Sequence, residues 1–216
     1  KIYKSKNVEV HALNDINLEI QDKGMVFILG KSGSGKSTLL NVLGGLDQFN
    51  EGEIIICGKS SQNFKQSDFD SYRNTFIGFI FQDYSLLDNM NLMDNIALPL
   101  ALGCKKSKEI EEKVIAIADT FGLKEHLKKY PYELSGGQKQ RGAAARALIT
   151  NPSVIFADEP TGALDSKSSS DLLECLRRVN EEKKATIIMV THDALSASYT
   201  QKVYVLSDGE IKCQVD

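Results

Sequence analysis

The 216-residue chain has no apolar run long enough to cross a bilayer, which takes about 20 consecutive apolar residues. The longest candidates, Ile96–Leu102 and Ile187–Val190, fall far short. The opening residues lack the basic-then-apolar pattern of a secretory signal. Neither sign of charge dominates: 26 Lys and Arg against 29 Asp and Glu leave a formal net charge of −3. That balance gives no bulk attraction to nucleic acid or anionic lipid, so no nucleic-acid partner is expected. Cysteine is sparse: Cys57, Cys104, Cys175 and Cys213 are scattered and form no C-x-x-C pair. They read as reduced thiols of a cytosolic chain, not as a disulfide frame or a metal site. Internal repeats, low-complexity tracts and coiled-coil heptads are missing as well. The chain opens on Lys1 and not on Met. It reads as a domain trimmed from something longer, so a membrane segment in a parent polypeptide is not excluded.

What is present is an ordinary globular composition, 42% apolar and 25% charged, in a length that suits one large domain. The most informative stretch is Gly30-Lys31-Ser32-Gly33-Ser34-Gly35-Lys36-Ser37-Thr38. It has the spacing of a phosphate-binding loop, two glycines four residues apart followed by Lys and Ser. A short apolar run, Met25–Leu29, precedes it and reads as a buried strand. Lys36–Leu43 follows and reads as a helix. Glycines there let main-chain N–H groups converge on phosphate oxygens, and the helix N-terminus adds its positive dipole end. Lys36 is expected to reach the β- and γ-phosphates, Ser37 to ligate Mg²⁺, and Thr38 to lie near the α-phosphate.

Along the chain, Tyr3 falls in a polar opening segment. Ile16–Ile20 alternates apolar and polar and predicts a half-buried antiparallel strand. Asp22-Lys23-Gly24 is a turn, and Gly44-Gly45 closes the first helix. A strand is expected at 53–56 and a short helix over Ser67–Arg73 capped by Ser67. Ile77–Phe81 reads as a buried strand ending at Gln82, and 83–103 as loop with short helical pieces. Ser107–Thr120 is amphipathic, with Ile110, Val114, Ile117 and Ala118 on one face. A helix rich in small residues spans Gly136–Thr150, and a long one, Ser166–Glu182, starts at a cap on Asp165 or Ser166. Strands are expected at Val154–Ala157 and Ala185–Val190, with a helix after His192 and a final hairpin around Asp208-Gly209. Strands alternating with helices predict an α/β fold, a mainly parallel sheet with helices on both faces. An antiparallel β part lies at the N-terminus. The whole is expected as one domain, with core 1–90 and 132–216 and an all-helical insert at about 91–131.

Two further stretches carry chemistry. Val154–Ala157 ends in Asp158-Glu159, and ligands in parallel sheets bind at the carboxyl ends of strands. Asp158 is the expected holder of the metal, and Glu159 the group that orients and polarises an attacking water. Leu134-Ser135-Gly136-Gly137-Gln138 opens the small-residue helix. Physically it is a second anion nest at a helix N-terminus.

That last stretch, in this order with the others, resembles the ATP-binding cassette (ABC) ATPases, and the resemblance covers essentially the whole chain. It implies Mg·ATP bound and hydrolysed by two copies packed head to tail. Ser135, Gly136, Gly137 and Gln138 of one copy would then contact the γ-phosphate held by the loop of the other. Gln82 would touch Mg²⁺ and the water, Asp165 would lie in the loop crossing between the copies, and His192 would sense the γ-phosphate. Tyr3 stands where the family stacks an aromatic ring on adenine. The catalytic set is thus Glu159, His192 and Gln82, and the metal set Ser37, Gln82 and Asp158. The nucleotide set is Tyr3, Gly30 to Thr38, Ser135 to Gln138, and Asp165. Two departures are visible: the strand that precedes the aromatic residue is missing, and Gly142 stands where the family has a larger apolar residue. Within the family the chain is similar to exporter cassettes for macrolides, antimicrobial peptides and lipoprotein release. This implies a transmembrane permease partner docking around Asp83–Leu100, at the cytoplasmic face of the membrane. An ABC ATPase of the iron–sulfur assembly type shares the same motifs and is the alternative.

Overall fold

Five apolar stretches become adjacent parallel strands in the structure, a computed structural model. It describes every residue except 6, 7, 22, 57, 104–106, 194, 195, 201 and 216. The chain opens with an antiparallel pair, β1 (Ile2–Ser5) and β2 (Val8–His11), then enters the sheet at β3 (Met25–Leu29). Helix α1 (Lys36–Leu43) follows, then a minimal antiparallel pair, β4 (Ile55–Ile56) and β5 (Lys59–Ser60). Helix α2 (Gln66–Ser71) leads through a π turn into β6 (Ile77–Ile80). Next come α3 (Leu92–Leu102), α4 (Ser107–Thr120) and α5 (Gly136–Leu148). The chain ends with β7 (Val154–Asp158), α6 (Ser166–Lys183), β8 (Thr186–Thr191), β9 (Lys202–Ser207) and β10 (Glu210–Val215). The six-stranded sheet runs β10-β9-β3-β8-β7-β6. Its members are parallel except β10, which turns back on β9 at Asp208-Gly209.

Strand alternation divides the core into two layers. Phe27, Ile155, Ala157, Ile187 and Met189 point to one face, where α3, α4, α5 and α6 cover them. Val26, Ile28, Phe156, Ile188 and Val190 point to the other, against Leu39, Leu40 and Val42 of α1. The central strands are therefore buried on both sides, which is why they read as unbroken apolar runs. Each such large side chain contributes roughly 1.5–3 kcal/mol. The residues of the helical stretch belong to the first layer: Leu92, Ile96, Val114 and Ile117 pack in the same cluster as Phe27 and Ile155.

Several sequence expectations are corrected. Ile16–Ile20 forms no ladder. Its alternation does bury Ile16, Leu18 and Ile20 against the second layer, but no strand among the described residues pairs with it. The antiparallel pairing falls instead on residues 2–5 and 8–11, which places Tyr3 on a strand. Helix α2 begins one residue before its expected cap. Position 65 is the cap, and its N–H donates to the Asp68 carboxylate at 2.7 Å. The stretch 83–103 contains an eleven-residue helix, α3, capped by Asn91, whose side chain accepts from Asp94 N–H at 2.9 Å. After His192 there is a 3-10 turn at Ser196–Tyr199, with residues 194 and 195 outside the description. Of the cysteines, Cys57 and Cys104 and the side chain of Cys213 lie outside it too. Cys175 is a free, half-buried thiol, and burial pushes its pKa up. Gly142 has a packing reason, since a Cβ there would lie 2.6 Å from Leu92 Cδ1. Its absence lets α3 approach α5.

Candidate functional site

β3 delivers its last residue to a loop that only glycine can close. A Cβ on Gly30 would lie 2.4 Å from Leu206 O on β9. Gly35 caps α1 at φ 102, a left-handed conformation, with its would-be Cβ 2.5 Å from Ala12 O. Between them Lys31, Ser32 and Gly33 are exposed, while Ser34 is buried with a hydroxyl that has no hydrogen-bond partner. Lys36, only 5% exposed, folds back over the loop. Its Nζ donates to Gly30 O at 2.9 Å and Lys31 O at 3.0 Å. Thr38 is half-buried two residues further on.

The carboxylates arrive at the same edge of the sheet. β7 ends on Asp158, and Ser37 Oγ donates to its Oδ1 at 3.0 Å. Burial pushes the Asp158 carboxyl up, with Glu159 adding to the rise and the Ser37 hydroxyl and Lys36 opposing it. Glu159 sits at φ 42, outside the range that side chains other than glycine favour. Its N–H donates to Val190 O at 2.9 Å, which ties this bend to β8. Its two oxygens lie 3.4 Å from Lys36 Nζ and 3.0 Å from His192 Nδ1. A Cβ on Gly162 would be 3.5 Å from Gln82 Nε2 and 3.6 Å from Glu159 Oε2, so Gln82 comes to this cluster from the end of β6. The structure therefore brings together Lys36, Ser37, Gln82, Asp158, Glu159 and His192.

Ser135, Gly136, Gly137 and Gln138 form a second group at the start of α5. Ser135 Oγ accepts from Gln138 N–H at 3.3 Å, and Gln138 Oε1 accepts from Ser135 N–H at 3.0 Å. This reciprocal pair is a capping box. Gly137 is buried against α6, where its Cβ would lie 2.7 Å from Ser168 Oγ. Asp165 caps α6, accepting from Ser168 N–H at 2.9 Å and Ser168 Oγ at 2.8 Å. No hydrogen bond among the described residues joins this second group to the first. Tyr3 lies on β1, beside Thr38. Its hydroxyl donates to Asp47 Oδ2 at 2.6 Å, and Lys1 Nζ lies 4.6 Å from its ring centre. That carboxylate pushes the Tyr3 phenol up, while the nearby Thr38 hydroxyl works the other way.

Three polar side chains that brace the site are not evident from motifs. Gln140, fully buried, donates to Phe81 O at 3.1 Å, one residue before Gln82. Arg146 donates to Ser85 O at 2.5 Å and Tyr84 O at 3.1 Å, clamping two residues at φ 48 and φ 64. Asn95, fully buried, ties 87–91 together. For Asn95 the signal is a polar residue in a mostly apolar helix; α5 holds several other polar residues, so Gln140 and Arg146 carry no such signal.

The site suits a magnesium nucleotide. A buried cation, an orphaned buried hydroxyl and a glycine-lined loop face the place where polyphosphate would lie. No three His, Cys, Asp or Glu side chains among the described residues cluster as metal ligands. A Ser hydroxyl beside one carboxylate is instead what Mg²⁺ uses when phosphates and water complete its shell.

A parallel sheet whose buried strand passes through a glycine loop into a Lys-Ser helix, with carboxylates ending a neighbouring strand, defines a phosphate-loop nucleoside triphosphatase. The comparisons place it more narrowly. The sequence model of the ABC transporter family matches residues 13–162, and the chain belongs to that family. It is 47% identical over 215 residues to a bacitracin export ATP-binding protein, BceA, of Halalkalibacterium halodurans, covering 100% of this chain and 85% of that one. It is 38% identical over 212 residues to the lipoprotein-releasing system ATP-binding protein LolD of Blochmanniella floridana, covering 98% and 90%. Among solved structures, it resembles a dimeric post-hydrolysis state of the ATP-binding cassette MJ0796 bound to ADP and Pi. The TM-score there is 0.91 at 37% identity, covering 99% of this chain and 94% of that one.

Proposed function

We propose that the chain is the ATP-hydrolysing module of a membrane exporter, paired with a permease that recognises the cargo. The reading rests on one observation: the phosphate-site residues fall into two separate groups, one around Lys36 and one around Ser135. Two copies packed head to tail would place the Ser135 group of one against the nucleotide on the Lys36 group of the other. Lys36 and the loop from Gly30 to Thr38 bind the polyphosphate, Tyr3 faces the base, and Ser37, Asp158 and Gln82 hold Mg²⁺. The metal supplies charge neutralisation at the phosphates. Glu159 orients and polarises the attacking water. His192, 3.0 Å from its Oε2, fixes that carboxylate and meets the γ-phosphate. Asp165 holds the start of α6 at the face between the copies. The relatives described above are transporter components, which favours export over the iron–sulfur assembly role. The name of the 47%-identical relative makes antimicrobial-peptide export the first choice of cargo.

We assign one domain, with a core of residues 1–90 and 132–216 and a helical insert at about 91–131. The permease docks on 83–100, beside Gln82, so motion there reaches the metal site directly. No helix among the described residues is long and apolar enough to cross a membrane. We place the chain at the cytoplasmic face through its permease. The test compares two variants. Lys36→Ala loses ATP binding; Glu159→Gln keeps binding and loses turnover by a factor of at least about 100. Hydrolysis that survives in Glu159→Gln removes that residue from its role, and tight Mg·ATP binding by Lys36→Ala removes the loop from its own.

A further inference from the structure

The side-chain amide of Gln138 has two ends, and both are engaged. One accepts the Ser135 main-chain N–H at 3.0 Å. A main-chain N–H only donates, so this end is the oxygen. The other end, Nε2, lies 3.1 Å from His126 Nε2. An amide nitrogen only donates as well, so His126 accepts there as a neutral ring with its proton on Nδ1. That Nδ1 is buried and has no hydrogen-bond partner. The other tautomer, with the proton on Nε2, would set donor against donor at Gln138. His126 belongs to a 3-10 turn, Lys124–His126, between α4 and α5. Its contact therefore links the helical stretch to the first turn of α5.

We propose that His126 is a positioning residue for the second phosphate-site group. By accepting from Gln138 Nε2 it fixes the amide so that Oε1 closes the Ser135 cap. Turning the helical stretch away from α5 would remove this restraint on the cap. This rests on the reading that the Ser135 group completes the partner's nucleotide site. His126 touches no nucleotide in this account and acts only through Gln138.

The test uses the full chain carrying Glu159→Gln, with light scattering to follow ATP-driven dimerisation and a fluorescent ATP analogue to follow binding to the monomer. His126→Leu keeps an apolar body and removes the acceptor. It weakens dimerisation by about tenfold or more, the worth of roughly one hydrogen bond, and leaves monomer ATP affinity unchanged. His126→Gln restores dimerisation, because its Oε1 can accept. An unaffected His126→Leu, a His126→Gln as poor as His126→Leu, or a loss of monomer ATP affinity overturns the proposal. Ser135→Glu, which sets a carboxylate against the γ-phosphate, distinguishes the underlying reading. If the chain without His126 changes stays monomeric with ATP, or Ser135→Glu dimerises unimpaired, the head-to-tail reading itself fails, and the His126 role with it.

Discussion

Replacing Asn95 tests how the segment after Gln82 is held. The residue is fully buried on α3. Its Oδ1 accepts from Leu87 N–H at 2.7 Å, and its Nδ2 lies 3.0 Å from the carbonyls of Leu87, Met90 and Asn91. Two of these carbonyls have other donors: Met90 N–H for Leu87 O, and Asn95 N–H for Asn91 O. Asn95→Ala therefore strands chiefly Leu87 N–H and Met90 O. Two orphaned main-chain groups at roughly 1–3 kcal/mol each, with lost packing added, give a loss of about 3–5 kcal/mol. That is a large share of a domain stability of about 5–15 kcal/mol. With a urea m-value near 3 kcal/mol/M, the midpoint falls by about 1–1.7 M. Equilibrium urea unfolding of both proteins, followed by circular dichroism, reads this directly. A midpoint shift below about 0.3 M, under about 1 kcal/mol, would show that water replaces the amide and that Asn95 does not organise this segment.

Other perturbations act through charge. Asp158 is pushed up by burial, so its ionised form costs stability near neutral pH and the chain gains stability as pH falls through that raised value. Asp158→Asn should therefore raise the melting temperature of the nucleotide-free chain near neutral pH, with the gain shrinking in acid. The same variant should lose the Mg²⁺-dependent part of ATP affinity. A lower melting temperature near neutral pH would contradict the burial argument. Asp165 is held low, first by the Ser168 N–H and then by its hydroxyl, so its contribution is present above the ordinary carboxylate range and lost below it. Asp165→Ala should melt earlier near neutral pH, with the deficit closing as pH drops through that range. A deficit that does not change with pH would mean packing, not the charged cap, was lost.

How much was legible depended on whether the signal was local. The parallel strands were, because burial on both faces makes runs such as Met25–Leu29 and Ile187–Val190 wholly apolar. Helix α4 matched to the residue because its apolar stripe has a helical period and a clear start. The extended stretch Ile16–Ile20 misled, since alternation reports which side is buried and not whether a neighbouring strand exists. Helix α3 was underread because Pro99 and the buried polar Asn95 interrupt its pattern; only the folded loop at 87–91 explains why Asn95 sits inside. The grouping of Lys36 with Asp158, Glu159 and His192 could be expected from strand ends in a parallel sheet. The contacts of Gln140, Arg146 and His126 could not, because each reaches main chain or an amide distant in sequence.

The central claim is that one copy holds two incomplete halves of a nucleotide site. The most direct measurement is the solution mass of the Glu159→Gln chain by light scattering, with and without saturating Mg·ATP, alongside a binding titration on the same sample. A monomer that becomes a dimer with ATP, at one nucleotide per chain, is the predicted result. A chain that binds one nucleotide tightly yet stays a monomer at every concentration would contradict it.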